Sequence, residues 1–146
     1  MRISSKGCYA IAALTEMALD DEDSPIAVAG LAARLKISKV YLEQVFSILK
    51  RSGLINSIKG AQGGYTLRNS PANVTLYDIL SAFELTLFEG AGKSLENIPT
   101  ESGLLISKLV LEPLDEAVST VLKSITLADL ADESRKQQEN GNMYYI

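Results

Sequence analysis

The chain contains no histidine and a single cysteine, Cys8. One cysteine cannot close an intramolecular disulfide. Without histidine there is no Cys/His zinc site, no Ser-His-Asp triad and no Cys-His pair. Most enzyme classes fall at this point, and the chain is expected not to be an enzyme and to carry no cofactor. Long hydrophobic runs are missing too: nothing approaches the ~20 apolar residues of a membrane-spanning helix. The opening Met1-Arg2-Ile3-Ser4-Ser5-Lys6-Gly7 has no signal-peptide core, so a cytoplasmic location is expected. No internal repeat or low-complexity tract is visible. The 146 residues suit one compact domain, or one domain with an extension. At 47 % apolar and 22 % charged, the composition is that of a folded protein.

What is present is unevenly charged. Residues 1–70 hold nine Lys/Arg against six Asp/Glu, and four of those acids cluster at 20–23. Residues 71–146 hold five against twelve. A basic N-terminal half on a chain of net charge −4 suggests one face built for an anion, although charge clumping on a solvated surface gives the same count.

Hydrophobic spacing predicts a first helix from Ser4 or Ser5 to about Leu19, with Ala10, Leu14 and Met17 inward. A short helix follows over 27–35. Lys36-Ile37-Ser38 makes a tight turn, and a third helix runs over 39–52 with Leu42, Val45, Phe46 and Leu49 inward. Gly53 ends it, after Lys50 and Arg51 in the last turn. Leu54 to Ile58 and Tyr65 to Arg68 read as two strands around the turn Lys59-Gly60-Ala61-Gln62-Gly63-Gly64. Thr75 caps a fourth helix to about Phe83. Residues 84–101 read as a loop. A long amphipathic segment spans 102–124, interrupted by Pro113, which either kinks the helix or marks its true start. Thr126 caps a last helix to about Glu139.

Helix, helix, tight turn, helix and hairpin is the order of a winged helix-turn-helix, mainly α with a small β-hairpin wing. In such units the second helix of the pair enters the major groove. Its first exposed positions hold Ser38, Lys39, Tyr41, Glu43 and Gln44. Gln can pair with adenine and Glu can accept from cytosine, while Ser, Lys and Tyr can bind phosphate. Lys59 at the hairpin tip, with Arg68 on the returning strand, can reach the minor groove or its phosphates. The glycine cluster is not a phosphate loop: it lacks the required spacing and precedes a strand. Against the DNA-binding reading stands a protein-interaction module that never touches DNA.

Several stretches together resemble the bacterial winged-helix regulators that include the iron–sulfur cluster regulator IscR and the cysteine-metabolism repressor CymR. They are Met1 to Ser4 with Lys6-Gly7-Cys8-Tyr9-Ala10, Tyr41-Leu42-Glu43-Gln44, and Ser52-Gly53-Leu54-Ile55. Ser57-Ile58-Lys59-Gly60, Gly63 to Leu67 and Thr126 to Leu130 complete the set. The likeness covers nearly the whole chain. It implies a winged helix-turn-helix over 1–83, a loop or effector region over 84–101, and a dimerisation helix, closing helix and tail over 102–146. It implies a homodimer on double-stranded DNA with a pseudo-palindromic operator. The dimer contacts would be Val110, Leu114, Ala117, Val118, Val121 and Leu122. It assigns DNA reading to Tyr41, Glu43, Gln44 and Lys59, and phosphate contacts to Ser38, Lys39, Arg2, Ser4 and Lys6.

Two departures qualify the likeness. Cluster-binding members place three cysteines in the loop after the fourth helix, and residues 84–106 contain none. The cluster-less, CymR-like branch is therefore the closer fit, which implies a repressor of cysteine or sulfur metabolism. Family members often have Arg where this chain has Cys8, a candidate redox sensor. The ending Met143-Tyr144-Tyr145-Ile146 is similar to that branch, which implies docking of Tyr144, Tyr145 and Ile146 on a cysteine synthase. A third reading keeps the regulator but makes it a sensor of a small ligand near 84–101, unrelated to cysteine.

Overall fold

The computed structural model describes residues 2–20, 24–84, 98 and 100–143, the side chains of 142 and 143 excepted. Helix α1 spans Ser5–Leu19, α2 Val28–Leu35 and α3 Lys39–Arg51. Strands β1, Ile55–Ile58, and β2, Gly64–Leu67, pair antiparallel with Ile55 opposite Leu67 and Ile58 opposite Gly64. A 3-10 turn at Pro71–Asn73 leads to α4, Leu76–Ser81. Further on lie α5, Glu101–Ile106, a π-helical turn at Ser107–Leu111, α6, Glu112–Ser124, and α7, Leu127–Met143. The expected mainly helical architecture with a hairpin wing is what the chain adopts. Among the described residues no helix is long and apolar enough to cross a membrane.

Each boundary has a local cause. Ser4 caps α1, its hydroxyl accepting from the Gly7 N–H at 3.0 Å, and Ser38 caps α3 by accepting from Tyr41 N–H at 3.1 Å. Between α2 and α3, Lys36 takes the left-handed conformation at φ 56°. The Ile37 N–H reaches back to Ala32 O and Lys36 N–H to Ala33 O, a Schellman closure built on a lysine instead of a glycine. The same pattern ends α3: Leu54 N–H bonds Leu49 O while Gly53 sits at φ 79°. Leu54 and Leu49 are both buried, so this stop is also a core contact.

The core joins Ala10, Leu14 and Met17 of α1, Leu31 of α2, and Leu42, Val45, Phe46 and Leu49 of α3 to Ile55, Val74, Ile79 and Leu127. All four inward residues foreseen for α3 are fully buried. The wing is fastened at two places. Tyr65 exchanges two backbone hydrogen bonds of 2.9 Å with Ile26, and its ring meets Phe46 edge-on at 4.9 Å. Gly64 is required there, because a Cβ would run into the Ile26 carbonyl.

Beyond α4 one expectation is refined and one corrected. Of the two readings of Pro113, the structure bears out the start: the proline stands in the first turn of α6, which continues directly from the π-helical turn. Lacking an N–H, it cannot bond the carbonyl four residues back. The chain accommodates it by one wide turn, with Glu112 N–H bonding Ser107 O five residues away, and continues to Ser124. The last helix also runs to Met143, four residues past the expected end. Helices α4 and α7 start side by side. Thr75 and Asp78 form one capping box and Thr126 and Asp129 another. Leu76 N–H bonds Ile125 O, and Leu127 N–H bonds Val74 O, both at 2.9 Å.

Candidate nucleic-acid interface

Burial of Leu42, Val45, Phe46 and Leu49 decides which side of α3 faces out. The opposite positions, at helical spacing, are Val40, Glu43, Gln44 and Ser47, all exposed. They line a shallow groove with Ile48, Arg51 and, from the first turn of α1, Lys6. Lys6 and Arg51 recur in a second groove with Ser4, Ser52, Ala82 and Phe83. Hydrogen-bonding side chains are thus bordered by two cations, the arrangement that base edges between phosphates call for.

The other foreseen residues take distinct places. Lys39 is exposed and lies 3.7 Å from Glu43, an exposed i,i+4 pair contributing at most a few tenths of a kcal/mol and open to exchange for a phosphate. Ser38 and Ser4 already use a lone pair in capping, which leaves each hydroxyl proton to donate outward. Tyr41 is half-buried, packed on the core and edge-on to Tyr9 at 5.5 Å. Arg2 is exposed just ahead of the α1 cap. Lys59 is exposed where β1 enters the wing tip. Arg68 follows β2 and its guanidinium lies beside Gly53, at the base of the hairpin. Cys8 is exposed on α1 with a free thiol. Tyr144, Tyr145 and Ile146, and residues 85–97 and 99 of the foreseen effector region, lie outside the described residues.

Sequence reasoning passed over Val40, Ser47 and Arg51, although the complement of the inward pattern marks them. It also passed over Glu84. That carboxylate is buried and its Oε1 accepts from the Ser4 N–H at 2.7 Å. The end of α4 is thereby tied to the start of α1. Gly7 makes room for it: a Cβ there would stand 2.7 Å from Glu84 Oε1. No pattern of period 2 or 3.6 points to such a contact across 80 residues.

On the long helix, Val110, Leu114, Ala117 and Val121 are exposed, while Val118 and Leu122 are half-buried. The helix leans on α4, where Lys123 Nζ sits 4.6 Å from the centre of the Tyr77 ring. Leu104, Leu105 and Leu109 extend the exposed apolar surface through α5 and the π turn.

A family described as Rrf2, iron-dependent transcriptional regulator, matches residues 3–133. The IscR regulator of Yersinia pseudotuberculosis is 33 % identical over 132 residues, 90 % of this chain and 80 % of that one. The solved structure of CymR, described as the global cysteine regulator of B. subtilis, aligns with TM-score 0.76 at 33 % identity, covering 91 % of this chain and 98 % of that one. IscR of T. potens aligns with TM-score 0.74 at 32 % identity, covering 94 % and 91 %. The proteins this chain is similar to are transcriptional regulators, not enzymes. The iron in the family description raises the question of ligands. Thiolate ligation of an iron–sulfur cluster needs several cysteines. This chain has only Cys8, exposed on α1, and no histidine anywhere, so its donor set does not fit such a cluster.

Proposed function

The chain belongs to the Rrf2 family and is a DNA-binding transcriptional regulator, and from that premise we propose that it acts as a homodimeric repressor without an iron–sulfur cluster, set in cysteine or sulfur metabolism. The observation that carries the reading is the outward face of α3. Glu43 and Gln44 stand exposed on it between Lys6 and Arg51. Homodimerisation is supported by the exposed apolar row on α5 and α6, which one copy of the chain leaves uncovered. Two copies would present two α3 helices to half-sites about one or two helical turns apart. The sulfur setting is supported by the likeness to a cysteine regulator and by the missing cluster ligands.

The test is selection of duplexes from a random library by the full-length protein, followed by titration of the winner. Gln44→Ala is expected to relax sequence preference by about tenfold to a hundredfold at one base pair, while weakening binding to unrelated DNA far less. An equal loss on all DNA would refute base reading by Gln44. The C-terminal residues carry a second element of the reading, docking on a cysteine synthase through Ile146. Deleting Tyr144 to Ile146 should abolish that complex in a pull-down and spare the dimer, and a complex that survives the deletion refutes the docking.

A further inference from the structure

Val40 is the second residue of α3 and is 65 % exposed. A single apolar side chain on a surface ordinarily needs no explanation. This one shares a face with Glu43, Gln44 and Ser47 at spacings of three, four and seven residues, and lines the groove that Lys6 and Arg51 border. Valine is also a poor choice for a solvated helix position on propensity alone, being stiff at χ1 and β-branched. It buries nothing substantial in the free chain.

We propose that Val40 reads the C5-methyl group of a thymine in the major groove and so fixes a T·A pair at one position of each half-site. The inference rests on the reading of α3 as the DNA-contacting helix. The argument is one of elimination by chemistry. Major-groove base edges present N7, O6 and O4 acceptors, N4 and N6 amino donors, and a single apolar group, the thymine methyl. Glu43, Gln44 and Ser47 can serve the donors and acceptors. Valine can serve none of them, and pressed against one it would strip water without replacing the hydrogen bond. Its only favourable neighbour at the base edge is the methyl. Position in the first turn matters as well, since the N-terminal residues of such a helix lie deepest in the groove.

The experiment uses the full-length protein and the duplex it selects from a random library. Each thymine is replaced singly by deoxyuridine, which removes the methyl and leaves every hydrogen-bonding group in place. At one thymine per half-site the wild type is expected to lose about fourfold in affinity, the value of one buried methyl-sized group. Val40→Ala removes the contact at both half-sites, so it is expected to bind the parent duplex about 16-fold more weakly and to be indifferent to the same deoxyuridine. Its salt dependence should be unchanged, because no phosphate contact is touched. Placing 5-methylcytosine opposite guanine at that position should recover part of the wild type's affinity lost on changing T·A to C·G. The proposal is overturned if no single deoxyuridine weakens the wild type, or if Val40→Ala keeps the full sensitivity. If the wild type selects no duplex at all, the α3 reading itself falls, and the methyl contact with it.

Discussion

Replacing Leu114 by alanine tests whether the uncovered row on α6 is a subunit contact. Leucine and alanine differ by three carbons, about 2.4 kcal/mol if buried completely. Leu114 is 57 % exposed in the single chain, so a partner has only that fraction left to cover, about 1.4 kcal/mol. A twofold axis uses the same residue twice, giving about 2.7 kcal/mol, or a dimer about 100-fold weaker. Sedimentation equilibrium over a concentration series measures the change directly. The thermal midpoint gives a second reading, since a dimer that dissociates on melting has a concentration-dependent Tm. Far-ultraviolet circular dichroism of the monomer should be unaltered, because the removed carbons are not part of the core. A wild-type chain that stays monomeric at millimolar concentration, or a variant with unchanged dissociation constant, would refute the reasoning.

Lys59→Ala should weaken DNA binding and reduce the slope of log affinity against log salt by about one per subunit, about two for the dimer, if the wing tip holds a phosphate. An unchanged slope and affinity would remove the wing from the interface. Gly7→Ala sets two rules against each other. Alanine inside a helix is normally worth about 1 kcal/mol over glycine, yet here its methyl meets Glu84 Oε1 at 2.7 Å and Ile3 Cγ2 at 3.1 Å. The expected net result in urea denaturation is a loss of about 1–2 kcal/mol, and a stabilised variant would show that the Glu84–Ser4 tie is dispensable.

The helix-and-wing unit was legible because its signals are periodic or local. The inward set of α3 follows from 3.6-residue spacing, and the stop at Gly53 and the start at Thr75 follow from cap chemistry. Choosing the outward set by order along the chain instead of by angle around the helix favoured Tyr41, which is half-buried on Tyr9, over Val40 and Ser47. Proline in the first turn of a helix follows a local rule, so Pro113 marks the start of α6. The π-helical turn that joins α5 to α6 leaves no mark in composition. The Glu84 contact depends on tertiary closure and has no one-dimensional trace.

The paired threonines have a bearing on what such a chain can become. Thr75 at the start of α4 and Thr126 at the start of α7 bridge each other, although α5 and α6 lie between them in the chain. The bridge closes a loop whose first helix, α4, still belongs to the core through Ile79. Lengthening a loop held at both ends in this way costs only in proportion to the logarithm of its size. Chain inserted beyond α4 therefore leaves the helix-and-wing unit anchored at the same two threonines.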